Sequence, residues 1–199
     1  MIKYGIMGGT FDPIHLGHLM IAQFVKEFLN LDKVIFIPTG NPPHKEKFTS
    51  ADFRYNMTKL AINDNSDFII SDIETKLKDH SYSVDTVKKL KEIYFGKFYF
   101  IIGTDSLFML ETWKDLNELS KLVDFACLVR PGYDNRKDIN SQMELLKNKY
   151  NSIIHLIDAP LYDISSTDIR KYISNGASVK YLVPDIVIGY IEKNGLYKG

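Results

Sequence analysis

Near-continuous apolar runs, rich in β-branched and aromatic residues, recur along the chain and are bounded by turn-forming residues. The runs are KYGIMG (3–8), KVIFIP (33–38), DFIISD (67–72), KFYFIIG (97–103), DFACLVRPG (124–132) and SIIHLID (152–158). Strands of a parallel sheet are covered on both faces, so they are apolar throughout rather than alternating with polar residues. The pattern therefore predicts a buried strand at each run.

Segments with helical periodicity lie between these strands. Apolar residues recur at helical spacing over 19–29, 53–61 and 84–93, with Phe28 on the apolar face of the first segment. Ser81 and Ser83 are candidates for the N-cap of the third helix, because a serine oxygen accepts a hydrogen bond from a free N–H group there.

Strands that alternate with helices predict an α/β fold with right-handed crossovers. After the sixth strand the pattern becomes helical, in SSTDIRKYISNG and VPDIVIGYIEKNG, and both segments end at an Asn-Gly stop. We therefore expect a Rossmann-like parallel sheet with helices on both faces and a small C-terminal helical subdomain. The expected division of the single domain 1–199 is a core over 1–160 and a subdomain over 161–199.

Composition limits the classes of function. Of the 199 residues 45% are hydrophobic, enough for a sizeable core, and 25 basic residues balance 25 acidic ones. Zero net charge argues against broad nucleic-acid binding, which needs a basic surface. The single cysteine, Cys127, lies in an apolar run and is expected to be a buried small hydrophobe.

The N-terminus passes straight into the first predicted strand, and no apolar run approaches the length of a membrane helix. We therefore expect a cytoplasmic protein that binds neither a membrane nor nucleic acid. Whether the chain forms a homo-oligomer stays open at this stage.

Candidate chemistry is concentrated in GIMGGTFDPIHLGHLMIA, which begins at Gly5 and joins the first strand to the first helix. Gly8 and Gly9 allow a tight turn and a close approach of the backbone to a ligand. The following helix is expected to present free N–H groups and the positive end of its dipole to an anion. His15 and His18 follow, and both are expected to donate hydrogen bonds and to carry charge near neutral pH. The layout predicts a site for a nucleotide phosphate.

Other interpretations of this stretch fit less well. Neither of the common glycine-rich phosphate motifs follows the first strand. A His15–His18 metal pair lacks an obvious third ligand and the helical Glu of the zinc proteases. Two structural histidines remain an alternative, but a strand–helix turn beside a double glycine favours the phosphate role.

The stretch GGTFDPIHLGH resembles the signature of the nucleotidyltransferase superfamily, and its FDPIH form resembles the nicotinate-nucleotide adenylyltransferase family. Further segments resemble motifs of that family in family order: NPPHK (41–45), SYSVDT (81–86), IIGTDSL (101–107), Trp113, RPG (130–132), ISSTDIR (164–170) and the ending LVPDIVIGYIEKNGLY. The resemblance thus spans nearly the whole chain.

The resemblance implies transfer of AMP from ATP to nicotinate mononucleotide, which gives deamido-NAD and pyrophosphate in NAD biosynthesis. The phosphate of the mononucleotide attacks the α-phosphorus in line, without a covalent enzyme intermediate, so the protein aligns the reactants and neutralises charge. Mg²⁺ is implied with ATP, and no residue is assigned to bind it. The implied catalytic residues are His15, His18, Lys45 and Arg170.

The resemblance also assigns binding residues. The implied ATP site contains Gly8, Gly9, Thr10, Phe11, His15, His18, Gly103, Asp105, Ser165, Ser166, Thr167 and Arg170. The implied site for nicotinate mononucleotide contains His44, Lys45, Ser83, Asp105 and Trp113. Trp113 would stack on the pyridine ring, Ser83 would lie beside its carboxylate, and Asp105 would suit ribose hydroxyls or cap a helix. Two positions depart from the family: Ser83 replaces its usual Thr, and Thr104 its frequent Ala.

Four rival functions remain open. A phosphopantetheine adenylyltransferase usually has Thr at the position of His15, and it lacks ISSTDIR in this form. A second rival catalyses the same reaction but prefers nicotinamide mononucleotide to nicotinate mononucleotide. A catalytically silent nucleotide-binding module on the same fold would have little need of the full set of phosphate-contacting residues. A redox enzyme of the Rossmann class would carry the absent glycine fingerprint.

Overall fold

A computed structural model describes residues 1–40, 49–77, 81–129, 136–160 and 163–198. The strands are β1 (Lys3–Gly9), β2 (Lys33–Pro38), β3 (Phe68–Ile70), β4 (Lys97–Gly103), β5 (Asp124–Val129) and β6 (Ile154–Asp158). The α-helices are α1 (Leu16–Leu29), α2 (Ala51–Ala61), α3 (Ser83–Ile93), α4 (Thr104–Met109), α5 (Leu116–Leu122), α6 (Arg136–Tyr150), α7 (Ser166–Ser174) and α8 (Asp185–Lys193). A 3₁₀-helix spans Leu110–Thr112.

The strands form one sheet in the order β3–β2–β1–β4–β5–β6, counting only the described residues. The pairs β1–β4, β4–β5 and β5–β6 are parallel, with Gly5 opposite Tyr99 and Cys127 opposite Leu156. Each predicted apolar run overlaps one of the strands, so the α/β prediction is confirmed. Cys127 is buried, and burial raises the pKa of its thiol to about 12.

The sequence pattern was less accurate at the edges of the elements. β3 covers only three residues and is partly buried, because it lies at the edge of the sheet rather than between two strands. The prediction that Phe28 lies on a buried face is wrong, since 54% of the residue is exposed. The predicted caps Ser81 and Ser83 are also wrong. α3 begins at Ser83, and its N-cap residue is Tyr82, whose side chain makes no capping hydrogen bond.

The chain comprises two compact units, each made of separate segments. The first unit contains Met1–Met7, Phe24–Val34 and Ser81–Leu161. Its core includes Phe98 of β4 and Phe125 of β5, and α3 packs against α5. At the start of β5 the buried Asp124 accepts a hydrogen bond from Lys97 at 2.7 Å and lies 2.8 Å from Nε2 of His155.

The second unit contains Gly8–Gln23, Ile35–His80 and Tyr162–Gly199. Helix α2 packs against α8, where the rings of Phe53 and Tyr190 lie 6.3 Å apart. Helices α7 and α8 are followed by Gly176 and Gly195, both at positive φ, which confirms the predicted Asn-Gly stops. The expected division between a core over 1–160 and a C-terminal subdomain over 161–199 stays a prediction. In the part of the chain that the structure describes, no helix is long and apolar enough to cross a membrane.

Candidate active site

The turn between β1 and α1 is shaped by the buried Phe11 and by Gly9. Phe11 is buried at a positive φ of 50°, and its ring lies 5.9 Å from that of Phe36. A Cβ atom on Gly9 would lie only 2.8 Å from the Phe11 ring, so a side chain at residue 9 would displace Phe11. The carbonyl oxygen of Gly9 accepts a hydrogen bond from the Thr39 N–H at 2.9 Å, which fixes the turn against the end of β2.

His15 and His18 form a stacked pair. Their ring centroids lie 3.6 Å apart with the planes 24° from parallel, and Phe11 meets His18 edge-on at 5.0 Å. The backbone N–H of His15 donates to Nδ1 of His18 at 3.3 Å. Because Nδ1 of His18 accepts this bond, its ring proton lies on Nε2, which can then donate to a ligand.

Both imidazoles are neutral at pH 7, contrary to the expectation that they carry charge near neutrality. Burial lowers the pKa of His15 to about 4. Burial, with a further contribution from neighbouring His15, lowers the pKa of His18 well below its usual 6.5. Desolvation disfavours a charged ring, and a second cation at stacking distance disfavours it further. The pair can therefore hydrogen-bond a phosphate but supplies no positive charge.

Gly17 lies between the two histidines and packs against the His15 ring, and the sequence analysis did not assign it a role. A Cβ atom there would lie 3.1 Å from Nδ1 and 3.2 Å from Cε1 of His15, so the ring would have to move by a few tenths of an ångström to accommodate it. Some of the N–H groups at the start of α1 that were expected to be free already have hydrogen-bond partners. The N–H of Leu16 donates to the Leu182 carbonyl at 2.9 Å, and the N–H of His18 donates to the His15 carbonyl at 3.0 Å.

Helix α7 is joined to the β1–α1 turn by its first residues. Ser165 is the N-cap, and its hydroxyl oxygen accepts from the Thr167 N–H at 3.2 Å. The Ser166 hydroxyl donates to the Pro13 carbonyl at 2.9 Å. Arg170 donates from one guanidinium nitrogen to the Asp12 carbonyl at 2.7 Å and from the other to Thr167 Oγ1 at 3.3 Å. The structure thus brings Ser166 and Arg170 to the turn that precedes His15.

A buried arginine on α2 holds three backbone segments together, and sequence analysis missed it. Only 1% of Arg54 is exposed. Its guanidinium group donates to the carbonyl oxygens of Thr10 at 2.8 Å, Gly40 at 2.7 Å and Thr49 at 2.9 Å. The only sequence signal is a lone Arg beside the apolar residues of a helix, a pattern that also suits a solvated side chain.

Two buried side-chain atoms of the described residues have no hydrogen-bond partner. They are Nδ1 of His15 and Oγ1 of Thr39. Buried polar atoms are nearly always paired, so an unpaired one calls for a specific explanation. Thr39 is joined to the β1–α1 turn by its bond to Gly9, and both atoms thus belong to the same part of the second unit.

A second set of predicted residues lies in the first unit, at the end of β4. Gly103 is the N-cap residue of α4 and has an extended backbone with a φ of −89°. A Cβ atom on Gly103 would meet no protein atom within 4 Å, so packing does not require glycine there. Asp105 is exposed in the first turn of α4, and its side chain makes no cap, contrary to one expected role.

Trp113 and Ser83 lie on neighbouring elements of the same unit. Trp113 follows the 3₁₀-helix, is partly exposed, and meets the buried Phe100 of β4 edge to face at 5.6 Å. The next residue, Lys114, pairs with Asp85 at 3.0 Å and lies 4.1 Å above the Tyr82 ring. These contacts tie the Trp113 segment to the start of α3, where Ser83 lies.

Two predicted residues, His44 and Lys45, lie outside the described residues. Among the residues that are described, no group of three or more His, Cys, Asp or Glu side chains could hold a metal ion.

Known proteins are similar to this chain in sequence over nearly its whole length. Residues 6–172 match the cytidylyltransferase-like family. A protein of Thermoanaerobacter sp. (strain X514) named "Probable nicotinate-nucleotide adenylyltransferase" is 44% identical over 99% of this chain and 95% of its own. A protein of the same name from Desulfitobacterium hafniense (strain Y51) is 46% identical over 98% and 96%. The chain belongs to the nicotinate-nucleotide adenylyltransferase family.

A solved structure supports the fold assignment. The nicotinic acid mononucleotide adenylyltransferase of Plasmodium falciparum, complexed with NaAD, superposes with a TM-score of 0.80 at 23% identity, over 99% of this chain and 98% of its own. Membership of the family makes the chain a nucleotidyltransferase with a Rossmann-like fold, as the sequence predicted.

Proposed function

We propose that this protein transfers AMP from ATP to nicotinate mononucleotide, giving nicotinate adenine dinucleotide and pyrophosphate in NAD biosynthesis. The observation that carries the proposal is the stacked His15–His18 pair beside a double glycine, in a chain of this family. A phosphate oxygen of the mononucleotide attacks the α-phosphorus of ATP, and the bond to the β,γ-pyrophosphate breaks. The reaction needs no covalent enzyme intermediate.

The histidines act as neutral hydrogen-bond donors. Nε2–H of His18 donates to an oxygen of the ATP phosphates, while its Nδ1 is held by the N–H of His15. His15, whose Nδ1 is buried and unpaired among the described residues, supplies the second contact. Donors fixed before the reaction stabilise developing charge without reorganising, so their value lies in position rather than in charge.

Positive charge comes from other residues. Arg170 is held beside the same turn by its bond to the Asp12 carbonyl, and a guanidinium group has five donors, enough to bind phosphate as well. Lys45 is proposed as a second cation and His44 as a further contact to the mononucleotide. Gly8, Gly9, Thr10, Phe11, Ser165, Ser166 and Thr167 complete the proposed phosphate site.

The residues of the first unit are proposed to bind ribose and pyridine. The exposed carboxylate of Asp105 suits vicinal ribose hydroxyls, and the open space beside Gly103 allows the nucleotide to approach the backbone. Trp113 presents a partly exposed indole ring on which a pyridine ring can stack. Ser83, in the first turn of α3, is proposed to donate to the pyridine carboxylate.

Mg²⁺ enters as part of the substrate, bound to the ATP phosphates. The ion prefers oxygen ligands and keeps several waters. Asp12, the buried carboxylate of the β1–α1 turn, already accepts hydrogen bonds at both oxygens, from Tyr197 and Thr49. We therefore assign no protein ligand to the ion.

The test is pyrophosphate release from MgATP with nicotinate mononucleotide, nicotinamide mononucleotide and phosphopantetheine in parallel. We expect a kcat/KM for the nicotinate substrate at least about tenfold above that for the amide, because a site that pairs with a carboxylate leaves polar groups unpaired with the amide. Similar kcat/KM values for the two mononucleotides would support adenylyl transfer but contradict the preference for nicotinate mononucleotide. No pyrophosphate with any acceptor, from folded protein that binds ATP, would favour a silent nucleotide-binding module instead.

A further inference from the structure

The carboxylate of Asp12 joins two segments that are far from it in sequence. Only 2% of Asp12 is exposed, and it lies in the β1–α1 turn between Phe11 and Pro13. Oδ1 accepts a hydrogen bond from the Tyr197 hydroxyl at 2.6 Å, across 185 residues of sequence. Oδ2 accepts from the Thr49 N–H at 3.3 Å. The last residues of the described chain are thus fixed to the turn that leads to His15.

The same turn is also held by residues of α7. The backbone carbonyl of Asp12 accepts from Arg170, and that of Pro13 accepts from Ser166. The side chain of Asp12 therefore contacts the C-terminal segment, while its backbone contacts a proposed phosphate-binding residue. A shift of this turn would move Arg170 and the approach to the histidine pair together.

Tyr197 is held in place by more than one interaction. Its backbone has a φ of 63°, which a bulky residue rarely adopts and which persists only where surrounding contacts fix it. The hydroxyl also lies 3.9 Å from Sδ of Met57. Burial, followed by the bond to Asp12, raises the pKa of the hydroxyl above its usual value. Tyr197 is therefore a permanent donor to the carboxylate at any pH near neutrality.

Arg54 completes the surroundings of Asp12. Its guanidinium group donates to the carbonyl oxygens of Thr10 and Thr49. It therefore fixes the backbone at Thr10, two residues before Asp12. It also fixes Thr49, whose N–H donates to Oδ2 of Asp12. With these groups in place, loss of the Tyr197 hydroxyl leaves a buried carboxylate oxygen without its short hydrogen bond. Such an oxygen moves towards another donor, and the turn moves with it.

We propose that Tyr197 is a positioning residue for adenylyl transfer, which acts through Asp12 on the turn that carries the phosphate-binding residues. The proposal rests on the proposed function. A positioning role differs from a purely structural role in its effect on fully folded protein. A residue with a purely structural role affects stability alone, whereas a positioning residue also affects the binding and turnover of ATP.

The test compares Tyr197→Phe with a matched control. Tyr197→Phe removes only the hydroxyl and keeps the ring. Tyr190→Phe removes another hydroxyl of the same unit, one that accepts from Asn56 at 3.3 Å and has no contact with Asp12. For Tyr197→Phe we expect kcat/KM for ATP to fall about 10- to 100-fold, because small misplacements of reacting groups have effects of this size. The KM for nicotinate mononucleotide should change less than about twofold, and Tyr190→Phe should match the wild type.

A binding measurement separates failure of this proposal from failure of the proposed function. Calorimetry should show that Tyr197→Phe binds MgATP at least about threefold more weakly than the wild type. If the wild type binds ATP but transfers AMP to no acceptor, the proposed function fails and this comparison still decides the role of Tyr197. Wild-type ATP affinity and wild-type kcat/KM in folded Tyr197→Phe would leave only a structural role and overturn the proposal. Loss of ATP binding by the wild type itself would overturn both proposals.

A double-mutant cycle checks that the effect passes through Asp12. In folded Asp12→Ala, the additional change Tyr197→Phe should have little effect, because the acceptor of its hydrogen bond is already gone. Additive effects of the two changes would reject the route through Asp12.

Discussion

The imidazole rings of His15 and His18 stack at 3.6 Å, and the N–H of the first residue donates to Nδ1 of the second. Burial lowers the pKa of both rings, and neighbouring His15 lowers the pKa of His18 further. The hydrogen bond therefore orients His18, while burial keeps both rings neutral, and the expected behaviour of the protein with pH follows from this burial.

Stability should fall as the pH is lowered below neutrality. The pKa of His15 is lowered to about 4 in the folded state, so the unfolded chain binds a proton near pH 6.5 while the folded chain does not. Between these two values the folded state loses stability, by about 3 kcal/mol for a shift of this size at 1.36 kcal/mol per unit. Urea unfolding at pH 7.5, 6 and 5 measures the slope. His15→Gln should reduce the slope, and an unchanged slope in that variant would contradict the assignment.

Gly17→Ala should impair turnover with little loss of stability. The new methyl group would lie 3.1 Å from Nδ1 of His15, so the ring must move by a few tenths of an ångström. We expect kcat to fall at least about tenfold, because the histidine donors act through position. The matched control is Gly189→Ala within α8, where the methyl group meets nothing within 4 Å. That change should stabilise the protein by roughly 0.5–1 kcal/mol and leave kcat unchanged. Wild-type kcat in Gly17→Ala would show that the ring position is not critical.

Gly103→Ala separates packing from ligand approach. The methyl group meets no protein atom within 4 Å, so the thermal unfolding midpoint should stay within about 2 °C of the wild type. If a nucleotide approaches this backbone, its KM should rise by at least about tenfold. Unchanged kinetics with unchanged stability would remove Gly103 from the proposed site.

Trp113 offers a direct optical measurement, because it is the only tryptophan of the chain. Stacking of a pyridine ring on the indole should quench its fluorescence during titration with nicotinate mononucleotide. Trp113→Ala should raise the KM for the mononucleotide at least about tenfold, in line with a stacking contribution of about 1–3 kcal/mol, and should leave the KM for ATP unchanged. A rise in the KM for ATP alone would show that the stacking assignment is wrong.

Arg54→Leu should be strongly destabilising. It removes three hydrogen bonds in a site where only 1% of the arginine is exposed, and it leaves the carbonyl oxygens of Thr10, Gly40 and Thr49 to find new donors. We expect a loss of at least about 3 kcal/mol in urea unfolding. Arg54→Lys should recover only part of it, because an ammonium group lacks the fixed fork that reaches all three oxygens. A loss below about 1 kcal/mol in Arg54→Leu would mean that water satisfies these groups.

The sequence by itself determined the α/β class, the position of each strand, the double-glycine turn and the family. These features depend on local sequence: short apolar runs rich in β-branched residues and bounded by turn residues favour buried strands, and a glycine pair before two histidines is visible in the sequence. The cap of α7 at Ser165 was equally local, because a serine before an apolar helical repeat needs only its own neighbours.

The tertiary structure alone decided the charge and the support of the site. The charge of His15 depends on desolvation, which is set by how many atoms surround the ring and has no counterpart in local sequence. The roles of Arg54 and Tyr197 depend on partners 5 to 185 residues away, which only the folded chain brings within hydrogen-bonding distance. A lone arginine on α2 and a tyrosine near the C-terminus look ordinary in sequence, because a hydrogen bond is defined by distance and direction rather than by residue type.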